Sequence, residues 1–422
     1  MTAAERARAR MVAALRAAGR LSDPAVEEAF RAVPRHEFLP ELPVAEAYAD
    51  EAVAVQRIDG IATSSASQPS MMAIMLEQLA VRPGDRVLEI GAGTGYNAAL
   101  LSRIVGSTGA VTSVDIDAEL IDSAARHLQA AGVGGVELVC ADGALGYPPR
   151  APYDRIVLTV GSSDVRPEWV TQLARGGRLL LPLALRGSQL SVALDLGPDG
   201  LLRSSSVRGC QFIRMRGIGA APDRMLPVGD CVSMQLPDET TQVDLAGAAA
   251  ALTAPGPVRT AGVALGPQDV WDGFGLWLAL QESRAVRLLA GDDRDPGDDD
   301  PSAMGAGPAA AMFPMGAGYA GVALVGPGSG VALAGPVGGG RDWPRPAAVH
   351  CFGVDGPASG ELMLAALAAW DAAGRPRAAG LRLLVGPHPV ATEAPGLTVR
   401  LPSAVVTASW PVPAAPLPAP PR

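Results

Sequence analysis

Between residues 70 and 196 short apolar runs alternate with amphipathic stretches. The runs VLEI (87–90), VTSV (111–114), VELVC (136–140), RIVLTV (155–160) and RLLLP (178–182) are bounded by turn residues and predict strands. Segments at 70–80, from about 96, at 118–131 and at 167–174 repeat their apolar positions at helical spacing. Apolar strands separated by helices predict a parallel sheet covered on both faces, an α/β doubly wound architecture. SQLSVALDL (188–196) alternates like an antiparallel strand. Residues 1 to about 33 predict two short helices broken at LSDP (21–24), where Ser22 or Asp23 caps and Pro24 suits a first turn.

After about residue 218 the pattern loosens into GIGAAPDRMLPVGD and then short strands among Gly, Pro and Ala. A first domain over 1–218, a smaller mixed α/β domain over 219–409 and a proline-rich tail over 410–422 follow from that change. DVWDGFGLWLALQ (269–281) sets Trp271, Phe274 and Trp277 three residues apart with Leu278 beside them. Such a stripe serves as core or as an apolar groove for a peptide. GDDRDPGDDD (291–300) reads as a solvated acidic loop, because it lacks the spaced oxygen ligands and closing glutamate of a calcium loop.

At 422 residues the chain exceeds one ordinary core, which agrees with two domains. A net charge of −9 argues against a nucleic-acid or anionic-membrane surface. The chain has 50 glycines, 38 prolines, no lysine and Asn97 as its one asparagine, so a single Gly or Pro is weak local evidence. Cys140, Cys210, Cys231 and Cys351 form no CxxC pair, and His36, His127, His350 and His388 are dispersed, so no metal site is expected. His36 reads as packing or surface and His127 as solvent-facing. No run approaches the roughly 18 apolar residues of a spanning helix, and the arginine-bearing N-terminus lacks a signal-peptide core. A soluble cytoplasmic protein is expected.

Chemistry concentrates at VLEIGAGTGYNAALL, where a buried strand runs through glycines into a helix. Gly91, Gly93 and Gly95 allow a sharp turn and close approach of a ligand to the backbone of Ala92 and Thr94. Tyr96 stands where a dinucleotide fingerprint has its third glycine, and Asn97 follows it. Asp115, with Ile116 after it, ends the next strand about 20 residues beyond the loop, where a carboxylate takes ribose hydroxyls. Asp142 and Gly143 end the third strand over the same sheet edge, suited to an adenine amino group and ring. Glu89, inside the first strand, is placed to orient the loop or an amino-acid end group. Acids face the ribose and no base stands ready for phosphates, so the inferred ligand is S-adenosylmethionine.

Several segments, in order, now resemble the protein-L-isoaspartate O-methyltransferase family. They are AFRAVPRHEFLPE (29–41), AYADEAV (47–53), SASQPSMMAIMLEQL (65–79), VRPGDRVLEIGAGTGYNAALLSRIVG (81–106), CADGALGYPPRAPYDRIVLTV (140–160) and LARGGRLLLPL (173–183). The resemblance covers roughly residues 1–218. It implies a class I methyltransferase fold, Rossmann-like, with S-adenosylmethionine as co-substrate and an isoaspartyl or aspartyl protein or peptide as partner. It also implies that Ser67 is the active-site serine within a substrate segment of Ser65, Ala66, Ser67, Gln68, Pro69 and Ser70. Ser65 and Ala66 stand where Thr-Ile is common in the family, Ser70 where His or Tyr is common, and Asp115 where glutamate is usual. CQFIRMRG (210–217) resembles the strand that closes the family's catalytic domain. Arg214 or Arg216 there either attracts a carboxylate or is a strand-end surface residue.

The chemistry suits the serine segment. A carboxylate is already anionic at neutral pH, so attack on a sulfonium methyl needs no general base. Alignment is what catalysis requires, and a hydroxyl bonded to the acceptor carboxylate supplies it. Pro69 stiffens the segment, and Gln68 caps it or bonds the substrate backbone. Ser67 is equally a candidate helix cap for MMAIMLEQL. Three functions remain open: isoaspartyl methylation in protein repair, aspartyl methylation of a dedicated ribosomal peptide whose ester closes to an aspartimide, and a cofactor-binding protein without catalysis. The second rests on a looser likeness of WDGFGLWLAL to relatives that accompany ribosomal-peptide biosynthesis.

Overall fold

The computed structural model describes residues 1–222, 224–229, 232–237, 241, 243–290, 320–326, 330–336, 344–389 and 397–411. The acidic run 291–300, Cys231 and the tail beyond Pro411 lie outside those residues.

The chain opens with helices α1 (Ala3–Ala17) and α2 (Pro24–Ala32). Asp23 caps α2 by accepting from the amides of Ala25 and Val26. Ser22 instead bonds Glu77 through its amide and hydroxyl. A short α3 (Val44–Ala47) leads into a hairpin of β1 (Val53–Ile58) and β2 (Ile61–Ala66). The hairpin turns through Asp59 and Gly60, both at positive φ (51° and 79°), which favours Asp-Gly at a two-residue turn.

The alternating region then forms in order: α4 (Pro69–Leu79), β3 (Arg86–Ile90), α5 (Tyr96–Val105), β4 (Ala110–Asp115), α6 (Ala118–Ala130), β5 (Val136–Cys140), β6 (Tyr153–Leu158), α7 (Pro167–Thr171), β7 (Leu173–Leu185), β8 (Ser188–Leu196) and β9 (Leu202–Gly209). The sheet runs β9-β8-β7-β6-β3-β4-β5. Strands β3 to β6 are mutually parallel where they pair, and β7 is parallel to β6 but antiparallel to β8. The chain reverses its direction of winding at β3, whose neighbours are β4 and β6. Ligands of open α/β sheets bind at such a switch point, beyond the carboxyl ends of the strands.

Two local expectations change. The helix at 167–174 ends at Thr171, because β7 already pairs Leu173 with Tyr153 of β6. The segment 210–217 is not a strand. The outer strand of this part is β9, and 210–217 crosses the strand ends with one isolated bridge, Arg214 to Gly161.

A second sheet contains β10 (Met225–Gly229), β11 (Val232–Gln235), β12 (Pro255–Leu265), β13 (Ala285–Ala290), β14 (Ala320–Val325), β15 (Val331–Pro336) and β16 (Arg345–Phe352), in the order β10-β11-β13-β14-β15-β16-β12. Helices α8 (Leu245–Leu252), α9 (Phe274–Gln281) and α10 (Gly356–Ala372) accompany it. The chain then returns to the first sheet. β17 (Arg382–Gly386) pairs with β9, and β18 (Leu397–Arg400) and β19 (Val405–Ser409) extend the row outward. The expected division at 218/219 therefore falls between the two sheets, while 382–409 belongs to the first.

Burial explains the return. One apolar cluster runs from Leu179 and Leu181 of β7 through Trp277 and Trp370 to Val406 of β19. Phe274, Trp277 and Leu278 are fully buried in it, with the rings of Phe274 and Trp370 5.7 Å apart. The aromatic stripe is core and not a groove. Trp271 alone is partly exposed, under the Arg287 guanidinium at 5.2 Å. Trp410, assigned to the tail from sequence, is buried and donates from Nε1 to the Arg377 carbonyl at 3.0 Å. Among the described residues no helix is long and apolar enough to cross a membrane.

Candidate functional site

The loop between β3 and α5 has its glycines at φ 103° (Gly91), 52° (Gly93) and 85° (Gly95), a region that side-chain-bearing residues seldom adopt. At Gly91 a Cβ would also lie 2.5 Å from Thr159 Oγ1, and at Gly95 3.1 Å from Ala124 Cβ. The loop is pinned on several sides. The amides of Gly91 and Ala92 donate to the Val114 carbonyl at 2.8 and 3.2 Å. Gly93 N–H donates to Asp115 Oδ2 at 3.1 Å. The Thr94 carbonyl accepts from His127 Nδ1 at 3.0 Å, so His127 faces the loop and not solvent.

Asp115 ends β4 with Oδ1 accepting from the amide of Asp117 at 3.2 Å. Each of its oxygens thus takes one backbone donor and keeps acceptor capacity. Glu89 lies fully buried beneath the loop. Its Oε1 accepts from Asn97 Nδ2 at 2.8 Å and its Oε2 from the Ser113 hydroxyl at 2.5 Å. Burial pushes its carboxyl up to about 7, helped by the nearby charge of Asp115 and opposed by the bonds from Ser113 and Asn97. Of the two roles open to it, Glu89 holds the loop: it braces Asn97 and is not in the cavity wall.

Tyr96, first residue of α5, packs its ring against Phe30 and Phe38 and lies under the Arg35 guanidinium at 5.0 Å. Its buried hydroxyl has no hydrogen-bond partner among the described residues. Desolvation raises its pKa further above the ordinary 10.

The serine segment is the end of β2 and the entry to α4. Ser65 and Ala66 close β2, and the helix starts at Pro69. Arg35, itself 1% exposed, donates from Nη2 to the Ser67 carbonyl at 2.9 Å and from Nε to the Ala47 carbonyl at 2.8 Å. Ser67 does not cap α4. Asp50 does, accepting from the Ser70 amide at 2.8 Å, while Gln68 Nε2 donates to the Asp50 carbonyl at 2.8 Å. The Gln68 side chain is therefore turned toward Asp50, and neither Gln68 nor Ser70 lines the cavity.

One cavity of about 1060 Å³, open to solvent, joins these parts. The hairpin end supplies Ser65, Ala66 and Ser67; the loop supplies Gly91, Ala92, Gly93 and Thr94, with Tyr96 and Asn97 behind. Asp115, Ile116 and Gly143 complete the expected wall. Gln68, Pro69, Ser70, Glu89, Gly95 and Asp142 stand behind it. Asp142 takes two backbone bonds: Oδ1 accepts from Ala144 N at 2.9 Å and Oδ2 from Ile218 N at 2.7 Å. It anchors the crossing segment, and like Asp115 each of its oxygens takes one backbone donor and keeps acceptor capacity.

Residues that sequence reasoning did not assign also line the cavity, among them Arg35, Thr63, Ser64, Thr159 and Ile213. Asp59-Gly60 between two alternating runs is the signal that would have revealed the hairpin carrying Thr63 and Ser64. No local signal marks Arg35. Three arginines, Arg35, Arg214 and Arg216, also line the cavity. Arg35 is engaged with carbonyls, and Arg216 Nη2 lies 3.6 Å from Asp117 Oδ2 and 4.0 Å from Asp115 Oδ1. Among the described residues no three His, Cys, Asp or Glu side chains gather to hold a metal ion.

The donor set fits an adenosyl sulfonium: a backbone cradle without Cβ atoms, an acceptor carboxylate at a strand end, and a pocket rim with a hydroxyl. Residues 6–218 match the family model of protein-L-isoaspartate(D-aspartate) O-methyltransferase, half of the chain. A protein-L-isoaspartate O-methyltransferase of Methanopyrus kandleri is 40% identical over 213 residues, covering 50% of this chain and 92% of the relative. One from Rhodopseudomonas palustris is 43% identical over 211 residues, covering 50% and 83%. A solved structure bearing the same enzyme name overlays 90% of this chain and 96% of its own at 25% identity, with a TM-score of 0.49.

Proposed function

The chain belongs to the protein-L-isoaspartate O-methyltransferase family, and we propose that its residues 1–218 transfer a methyl group to side-chain carboxylates of isoaspartyl residues in polypeptides. The observation that carries this reading is one cavity shared by Ser67, the glycine loop and Asp115.

S-adenosylmethionine supplies a methyl on a positively charged sulfur, a leaving arrangement that an ionised carboxylate attacks without prior proton removal. The residues of the chain do the holding. Gly91, Ala92 and Gly93 bring backbone to the ligand, and Asp115 offers acceptor oxygens for ribose hydroxyls. Glu89 and Asn97 keep that loop in register from below. Ser67, whose hydroxyl has no bond to a described residue, presents a donor to the acceptor carboxylate. Proximity and alignment of this kind lower a barrier by roughly 7–11 kcal/mol at best, so no acid or base is required of the site.

A methyl-transfer assay with labelled donor tests the reading, using an isoaspartyl peptide beside its ordinary aspartyl twin. Transfer to the isoaspartyl peptide, with little to the twin, is expected. Transfer to neither peptide, despite donor binding, would overturn it.

A further inference from the structure

A second cavity of about 1420 Å³ lies on the other side of Arg214, which lines both. Residues 213–215 are fixed between the two by Gly161, whose amide donates to the Ile213 carbonyl and whose carbonyl accepts from Met215 N, each at 2.8 Å. Both halves of the chain build the second cavity: Ser162 and Gln189 from the first sheet, Arg224 and Gln235 from the β10–β11 pair, and Arg400 from β18.

Its chemistry is one-sided. Four arginines line it, Arg186, Arg214, Arg224 and Arg400, and no carboxylate does among the described residues. Arg186 is committed to the Ala279 carbonyl through Nε at 2.8 Å. Arg224 Nε and Gln235 Oε1 are buried with no partner among the described residues, and both line this cavity. Burying polar atoms without partners is costly, so a site that keeps two of them is suited to a ligand that satisfies them. Arg400 is exposed at the rim.

We propose that this cavity seats an acidic stretch of the acceptor polypeptide, with Arg224 and Arg400 pairing carboxylates next in sequence to the one methylated beside Ser67. The proposal rests on the carboxyl-methylation reading for its acceptor and adds a selectivity element supplied by the second half of the chain. Arg214 lines both cavities, and several arginines spread around the second make an acidic chain, and not a lone anion, the fitting occupant. Gln235 bonds the peptide main chain, and Leu236 and Leu401 cover its apolar stems.

The test uses two fluorescent isoaspartyl peptides, one with glutamates flanking the isoaspartate and one with glutamines at the same places. Their anisotropy is titrated with the full chain as wild type, Arg224→Gln, Arg400→Gln and the double variant, and methyl transfer to both is followed in parallel. Wild type is expected to bind the glutamate peptide at least tenfold more tightly. The double variant should abolish that preference and leave the glutamine peptide unchanged within twofold. Because Arg400 is exposed, its single variant keeps the fold and should lose part of the preference. Equal affinity of wild type for both peptides, or equal weakening of both in the variants, overturns the proposal. If glutamate preference is seen but no methyl moves, the cavity assignment stands and the carboxyl-transfer reading falls. Transfer without preference leaves the carboxyl-transfer reading standing and removes the cavity assignment.

Discussion

The Arg35 guanidinium donates to the main-chain carbonyl of Ser67 at 2.9 Å. The Ser67 side chain has no hydrogen bond among the described residues, so its place in the cavity depends on its backbone, and that backbone is held from Arg35. The same side chain holds the Ala47 carbonyl and covers the ring of Tyr96. Burial lowers its pKa below the usual guanidinium range. Its planar fork reaches two carbonyls at once, which a lysine ammonium on a flexible stem does not reproduce.

Arg35→Lys is therefore expected to cost roughly 1–3 kcal/mol of stability through a carbonyl left unpaired. Methyl transfer should fall while affinity for the donor changes little. Thermal unfolding and calorimetry with S-adenosylhomocysteine measure the two effects. A variant as stable and as active as wild type would remove Arg35 from this role.

Ser67→Ala removes one hydroxyl from a hydrogen bond to a charged acceptor, a loss of ~1.5–3 kcal/mol, or roughly 10–150-fold in kcat. Donor affinity should stay as it was, because the cradle and Asp115 are untouched. Equal losses in turnover and in donor binding would place Ser67 with the cofactor instead of the acceptor.

For Asp115 the expected pattern is the reverse. Asp115→Ala deletes the partner of Gly93 N–H and the acceptor for the ribose, so donor binding weakens by ~1–3 kcal/mol. Asp115→Asn keeps an oxygen for Gly93 and should lose less. Calorimetric titration of both variants reads the difference, and unchanged affinity in the Ala variant would sink the ribose assignment.

Glu89 makes stability depend on pH. Its folded-state pKa of about 7 stands above the ordinary 4.5, so between those values the folded chain keeps a proton that the unfolded chain has released. Stability contributed by the protonated form is full below about pH 4.5 and is lost as pH rises through 7. Glu89→Gln retains an oxygen for Asn97 and an amide beside Ser113, and has no proton to lose. The gap in melting temperature between variant and wild type should widen in favour of the variant from pH 5 to pH 8. A constant gap across that range would show Glu89 ionised throughout.

The parallel strands were legible because each is a short apolar run between turn residues, and β5 and β8 fall on the expected residues. The glycine loop was legible for a related reason: three positive-φ positions require three glycines, which sequence displays directly. Asp115 was placed by its distance along the chain from that loop. The bond that Asp142 accepts from Ile218 was not legible, because nothing local brings a residue so far along the chain to it. The bonds of His127 and Gln68 were hidden likewise. Their partners, Thr94 and Asp50, come from separate elements.

By itself the sequence determined which residues build the strands of the first half, where backbone bends to admit a ligand, and which family the chain resembles. Those properties are local: hydrophobic period, glycine at strained φ, and a carboxylate at a strand end. Tertiary structure alone decided that Arg35 steadies Ser67, that Asp50 caps α4, and that β17 to β19 rejoin the first sheet. Each is a contact between segments remote in sequence, selected because a buried donor needs an acceptor or an apolar strand needs a neighbour, and several segments offered one.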